Sequence, residues 1–83
     1  MQIPGSVFKK IRSSGKTGYD YDYLDGCMYV NDDCRVYPIR DDKDGIYYVK
    51  DHGECIHIGR GCQQIIHADE LAALLKEDLE GKL

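Results

Sequence analysis

The apolar residues near the C-terminus repeat with the spacing of an α-helix. Four leucines at i, i+3, i+4 and i+8 would lie on one helix face. Asp69 is a good N-cap, or Ala68-Asp69-Glu70 forms a first turn whose acids suit the helix dipole, and Gly81 is typical of the residue after a helix. The pattern predicts a helix from about Asp69 to Glu80 that covers a sheet. Its leucines are Leu71, Leu74, Leu75 and Leu79.

A shorter helical spacing occurs near the N-terminus, where four apolar residues fall at i, i+4, i+5 and i+8. This predicts a short helical turn over Ser6 to Arg12, with Pro4 near its start. The following Ser, Gly and Thr residues indicate a flexible stretch. We therefore divide the chain into a lead-in segment, residues 1–18, and one domain, residues 19–83. The apolar anchors of the lead-in are Ile3, Val7, Phe8 and Ile11.

From Tyr19 to His67 the pattern changes to short β-branched and aromatic runs, separated by turn residues about every ten positions. Pro38 cannot donate a backbone hydrogen bond, so its strand is expected to be bulged or at an edge. The chain is thus predicted to have an α+β fold, a small antiparallel β-meander of about four to five strands packed by the C-terminal helix. The predicted strands cover residues 27–31, 34–40, 46–50, 55–58 and 62–67.

Length and composition fit one small domain. The 83 residues are 42% hydrophobic and 31% charged, and a chain of this size has little room for both a core and a deep catalytic cleft. We therefore do not expect an enzyme. No run approaches the roughly 18 apolar residues that span a bilayer, and no apolar leader opens the chain. A cytoplasmic protein with reduced thiols and no membrane contact is expected.

The net charge of −4 hides an uneven distribution. Residues 1–16 carry four bases and no acid, whereas the rest of the chain carries all 15 acids against seven bases. An acidic body repels nucleic-acid phosphates and attracts a basic protein surface. A separate hypothesis is that the basic segment contacts nucleic acid or another acidic surface. Its bases are Lys9, Lys10, Arg12 and Lys16.

Cysteine and histidine residues cluster in the second half of the chain. Cys55 and His57 would share one face of a strand, and a two-residue turn at Gly59-Arg60 would place Cys62 opposite His57. Together with His52 they are candidate zinc ligands. The spacing lacks the Cys-x₂-Cys pairs that mark zinc sites. A zinc-stabilised structural domain is the alternative function, and no other cofactor is expected.

The remaining motifs do not predict a disulfide, a calcium site or a catalytic site. The hairpin spacing offsets Cys27 from Cys34, and Cys55 from Cys62, so neither pair predicts a simple cross-strand disulfide. An EF-hand register over the aspartates near Gly45 would place Arg40 at the first ligand position, which defeats calcium binding. No nucleophile elbow, phosphate-binding loop or metalloprotease motif is present.

The most distinctive segment alternates tyrosine and aspartate. In an extended strand the rings would lie on one face and the carboxylates on the other. Tyrosines are frequent interface anchors and carboxylates steer toward basic surfaces; the alternative is an ordinary edge strand whose charges prevent aggregation. The residues predicted to bind a partner here are Tyr19, Asp20, Tyr21, Asp22, Tyr23 and Asp25. The aspartates of the turns are predicted to extend this negatively charged binding surface. They are Asp32, Asp33, Asp41, Asp42 and Asp44.

These features favour a non-catalytic protein-binding module that occupies a basic surface of a larger protein. In size and charge alone, the chain resembles small acidic proteins that block basic, often nucleic-acid-binding sites, among them phage-coded inhibitors of host nucleases. That resemblance implies an inhibitor that mimics nucleic acid. It rests on no specific motif.

Overall fold

A computed structural model of the chain describes residues 1–14, 16–42, 44–58 and 64–83. The described residues form two α-helices and six strands in two antiparallel three-stranded sheets, with one helix at the C-terminus. The predicted α+β class is therefore confirmed. The helices are α1 (Gly5–Ser13) and α2 (Ala68–Leu79), and the strands are β1 (Cys27–Val30), β2 (Val36–Pro38), β3 (Arg40–Asp41), β4 (Tyr47–Asp51), β5 (Glu54–His57) and β6 (Ile65–His67).

The strands do not follow one another in a single meander. The first sheet has the order β2-β1-β6, in which Tyr29 of β1 lies between Tyr37 and Ile65. The second sheet keeps the sequential order β3-β4-β5. The predicted strand 34–40 is divided between the two sheets at the buried Ile39, and Pro38 lies on an edge strand as expected. Part of the predicted strand 62–67 falls outside the described residues.

The turns form where the sequence offers residues that accept a positive φ. His52 and Gly53 join β4 to β5 with φ values of 52° and 81°, which is the conformation of a tight two-residue hairpin turn. Between β3 and β4, a carboxylate oxygen of Asp42 accepts hydrogen bonds from the backbone N–H groups of Asp44 and Ile46. Side-chain to backbone bonds of this kind hold short turns in place.

Helix α2 begins one residue before the predicted start. His67 is the N-cap and its Nδ1 accepts a hydrogen bond from the Asp69 backbone N–H at 3.2 Å, so the interpretation of Asp69 as N-cap is wrong and its place in an acidic first turn is right. At the other end Gly81 has a φ of +72°, and its N–H donates to the Asp78 carbonyl. The Lys82 N–H donates to the Glu77 carbonyl, which completes a Schellman motif.

Helix α1 packs into the core. Val7 is fully buried, and Ile3 and Ile11 are only 4% exposed. They form one hydrophobic cluster with Ile66 of β6 and Leu71 of α2, among others. A second cluster lies between the two sheets and includes Leu24, Cys27, Ile39, Val49, Ile58 and Ile65. Two adjoining clusters give the molecule an elongated shape, 42 × 27 × 17 Å.

Candidate functional site

The alternating tyrosine and aspartate residues do not form a strand, so the predicted two-faced strip is wrong. Instead Gly18–Asp20 form a 3₁₀ turn. Thr17 caps it, because its hydroxyl accepts a hydrogen bond from the Tyr19 N–H at 3.2 Å while the Asp20 carboxylate accepts one from the Thr17 N–H at 2.6 Å. This reciprocal capping box satisfies two backbone donors locally. Asp20 therefore stabilises the turn.

Tyr21 points toward helix α2 rather than to a partner. Its hydroxyl donates to a Glu70 carboxylate oxygen at 3.3 Å and accepts from the His67 backbone N–H at 3.3 Å. The Lys16 ammonium reaches the other Glu70 oxygen at 2.6 Å. Burial raises the pKa of Tyr21 above its ordinary value. The inward tyrosine anchors the segment on α2 and leaves the tyrosines on either side exposed.

Tyr23 joins the segment to the turn between β3 and β4. Its ring meets that of Tyr47 edge to face, with centroids 5.9 Å apart and planes at 84°, a favoured aromatic geometry. Removal from water raises the pKa of Tyr47, and the Tyr23 hydroxyl and the Asp41 carboxylate act in the same direction. Tyr47 lies opposite Asp41 in the sheet. The Tyr/Asp segment therefore meets the start of β4, beside the aspartates of the β3–β4 turn.

We name this surface the acidic aromatic patch. Tyr19 is 74% exposed, Tyr23 59% and Ile46 46%, which are high values for large apolar or aromatic side chains. Exposed aspartates lie along both contributing segments. The patch consists of Tyr19, Asp20, Asp22, Tyr23, Asp25, Asp41, Asp44 and Ile46.

The remaining predicted partner residues lie elsewhere or have structural roles. Asp42 holds the β3–β4 turn, as described above. Asp32 and Asp33 belong to the β1–β2 turn, where an Asp33 oxygen lies 3.4 Å from Nε2 of His52. That histidine follows the last residue of β4, whereas Ile46 precedes the first. The five-residue strand separates the two acidic regions by roughly 13 Å or more.

The candidate zinc ligands are not brought together among the described residues. Cys55 and His57 are exposed on the same face of β5, as predicted, but His52 contacts Asp33 and Asp51 instead. Cys62 lies outside the described residues. In the described ranges no group of three potential metal ligands occurs, and Cys27, Cys34 and Cys55 are free thiols.

Sequence reasoning missed a depression where the outer face of the second sheet meets β2 of the first sheet. It has a volume of about 290 Å³. Two cations and two tyrosines from three strands line it, and an acidic turn separates Tyr37 and Arg40 from Tyr48 and Lys50 along the chain. Only the cross-strand pairing of Arg40 with Tyr48 makes the grouping visible. The lining residues are Tyr37, Pro38, Arg40, Tyr48 and Lys50.

Comparison of the chain with protein families, curated proteins and solved structures gives no match. In the described part of the chain, neither helix is long and apolar enough to cross a membrane.

Proposed function

We propose that this chain is a non-catalytic protein-binding module that contacts a basic surface of a larger protein through the acidic aromatic patch. Where that basic surface is a nucleic-acid-binding site, occupancy would make the chain an inhibitor. The proposal has its main support in one observation, the edge-to-face contact between Tyr23 and Tyr47. This contact brings the first acidic segment against Tyr47, which lies opposite Asp41 in the sheet.

The composition of the patch matches what protein interfaces use. Tyr19, Tyr23 and Ile46 supply apolar contact area, and tyrosine does so with few rotatable bonds. The surrounding aspartates supply a negative field that accelerates encounter with a basic partner and weakens as salt screens it.

The local structure supports a preformed surface. Hydrogen bonds between side chains and the local backbone fix the conformation of both acidic segments. They are the capping box at Thr17 in the first segment and the two bonds that Asp42 accepts in the second. The Tyr21 hydroxyl attaches the first segment to the start of α2 through its hydrogen bonds with Glu70 and the His67 backbone. A surface held in this way loses little conformational entropy on binding.

Photo-crosslinking tests the proposal. A photoreactive phenylalanine at position 19, and separately at position 48 on the opposite sheet face, would be expressed in the native host, and adducts would be identified by mass spectrometry. A basic protein captured from position 19 and not from position 48 is the expected result. Capture of acidic proteins, or equal capture from both positions, would contradict the proposal.

Charge variants then test the identified complex. The triple variant Asp25→Asn, Asp41→Asn and Asp44→Asn removes three charges from the patch without touching the capping box or the Asp42 turn. The matched control, Asp32→Asn, Glu54→Gln and Glu77→Gln, removes three exposed charges elsewhere. We expect the patch variant to weaken binding by about tenfold or more and to flatten its salt dependence. An equal effect of the control would mean that net charge, not the patch, determines binding.

A further inference from the structure

The outer face of the second sheet differs in charge from the rest of the molecule. Arg40 pairs with Tyr48, Tyr48 with His57, and Lys50 with Cys55 across neighbouring strands. Because side chains alternate along a strand, these five residues project from one face. The acids of the same strands alternate to the other face, which packs through Val49 against the second hydrophobic cluster. We name the outward set the basic face: Arg40, Tyr48, Lys50, Cys55 and His57.

The cations of the basic face are available to a ligand. Arg40 and Lys50 are exposed, and no carboxylate among the described residues forms an ion pair with either of them. No acidic residue lines the depression between them. Two exposed positive charges beside a depression that no acidic residue lines favour an anionic ligand.

The residues that line the depression favour a ligand that has an aromatic ring as well as negative charge. Tyr37 and Tyr48 line it together with Pro38, and its volume of about 290 Å³ is at the lower end of small-molecule sites. In the sheet, Arg40 and Lys50 are diagonal neighbours, so their α-carbons lie roughly 8 Å apart. A ligand that suits this site carries both a ring, which can contact the lining tyrosines, and negative charges near Arg40 and Lys50.

We propose that the basic face binds single-stranded nucleic acid, with one base in the depression and adjoining phosphates at Arg40 and Lys50. Stacking of bases on aromatic side chains beside a cationic groove is the usual means of binding single strands without sequence preference. Every nucleotide carries both a ring and a phosphate, whereas an acidic peptide fills the tyrosine-lined depression only where an aromatic side chain lies beside its carboxylates. This activity is independent of the acidic aromatic patch and coexists with a chain that is acidic as a whole.

The affinity should be low and strongly dependent on salt. Two phosphate contacts, at Arg40 and Lys50, predict a slope of log K against log salt of roughly −1.4, since each contact on a single strand contributes about −0.7. The repulsion from the acidic body lowers the affinity further.

Fluorescence anisotropy with a labelled oligothymidylate of about 12 nucleotides, which exceeds the smallest known single-strand sites, measures this binding at low salt. The double variant Arg40→Gln and Lys50→Gln should weaken binding by about tenfold or more. Lys9→Gln with Lys10→Gln is the matched control, because it removes two exposed positive charges from α1. It should weaken binding by less than about threefold.

A second variant pair tests the aromatic part. Tyr48→Leu should weaken binding by about fivefold or more, and Tyr48→Phe should retain it because the ring remains. Unfolding curves of all variants would verify that each is folded under the binding conditions.

Several results would overturn the proposal. Absence of salt-sensitive binding by the unaltered chain would do so directly. Equal losses of affinity in the two double variants would show that binding depends on α1 or on net charge rather than on the basic face. Competition by polyglutamate as effective as that by unlabelled oligothymidylate would show that the face binds acidic peptides. The charge variant of the acidic aromatic patch should leave oligonucleotide binding intact or slightly stronger, so the two proposals can fail separately.

Discussion

The Asn31 side-chain amide donates to both carboxylate oxygens of Asp51, at 3.3 and 3.4 Å. Both residues are buried, at 6% exposure. Asn31 directly follows β1 and Asp51 is the last residue of β4, so this contact joins the two sheets. The Asn31 oxygen accepts from the backbone N–H groups of Asp33 and Arg35, at 3.0 and 3.1 Å. One side chain therefore shapes a turn and satisfies a buried carboxylate of the other sheet.

Substitution Asn31→Asp should lower the free energy of unfolding by about 2–4 kcal/mol near neutral pH. The new carboxylate can still accept the turn hydrogen bonds, but it replaces a donor with a negative charge facing Asp51. Urea unfolding of the variant and of the unaltered chain at neutral pH measures this loss.

The double variant Asn31→Asp with Asp51→Asn is the control, because it returns an amide and a carboxylate to the pair with their positions exchanged. It should recover part of the lost stability. If the single and double variants unfold at the same urea concentration, the contact between these two side chains is not the cause of the loss.

Gly26→Ala should destabilise the fold through a close contact as well as through its backbone. Gly26 has a φ of +84°, and a Cβ there would lie 3.2 Å from Nε2 of His67, the residue that caps α2. We expect a loss of about 1–3 kcal/mol in unfolding free energy. Gly53→Ala is the matched control, since φ is +81° and nothing lies within 4 Å of the added Cβ. Equal losses in thermal unfolding would show that contact with His67 contributes nothing.

Val7→Ala tests whether the N-terminal helix is part of the core in solution. Val7 is fully buried against the cluster that contains Ile66 and Leu71. Removal of two methyl groups should cost about 1–3 kcal/mol. Lys9→Ala, on the exposed side of the same helix, should change the unfolding free energy by less than about 0.5 kcal/mol. The same urea midpoint for both variants would contradict the packing of α1.

Periodicity was sufficient to predict the helices. The leucine spacing placed α2 within a residue of its observed ends, and four apolar residues indicated a helix where α1 lies. Turn residues likewise indicated where strands begin and end, because glycine, asparagine and aspartate favour turns through contacts with their neighbours in sequence. These features depend on neighbours in sequence, which is why local patterns predict them.

Pairing and surface grouping depend on distant residues, and here prediction from sequence was limited. Nothing in residues 65–67 indicates that they pair with β1 rather than with the preceding strand. The Tyr/Asp alternation predicted a strand, but the Thr17 capping box and the hydrogen bonds of Tyr21 to α2 favour a turn. The basic face was invisible because Arg40 and Lys50 are each followed directly by an aspartate that points to the other face.

Thiol labelling should separate the cysteines by burial. Cys27 is 1% exposed in the cluster between the sheets, whereas Cys55 is exposed on β5. Burial raises the pKa of the Cys27 thiol, and nearby acids act in the same direction. Native iodoacetamide labelling followed by peptide mapping should therefore modify Cys55 at least about a hundred times faster than Cys27, since Cys27 reacts only after opening.

The same raised pKa predicts the direction of the pH dependence. The folded state holds the Cys27 proton more tightly than the unfolded state does, so this contribution to stability is present below the ordinary thiol pKa. It is lost as the pH rises through the raised value in the folded protein. Cys27→Ala should therefore make the unfolding free energy fall less steeply at alkaline pH, which urea unfolding across the alkaline range measures. Rapid native labelling of Cys27 would show that the cluster between the sheets is open to solvent.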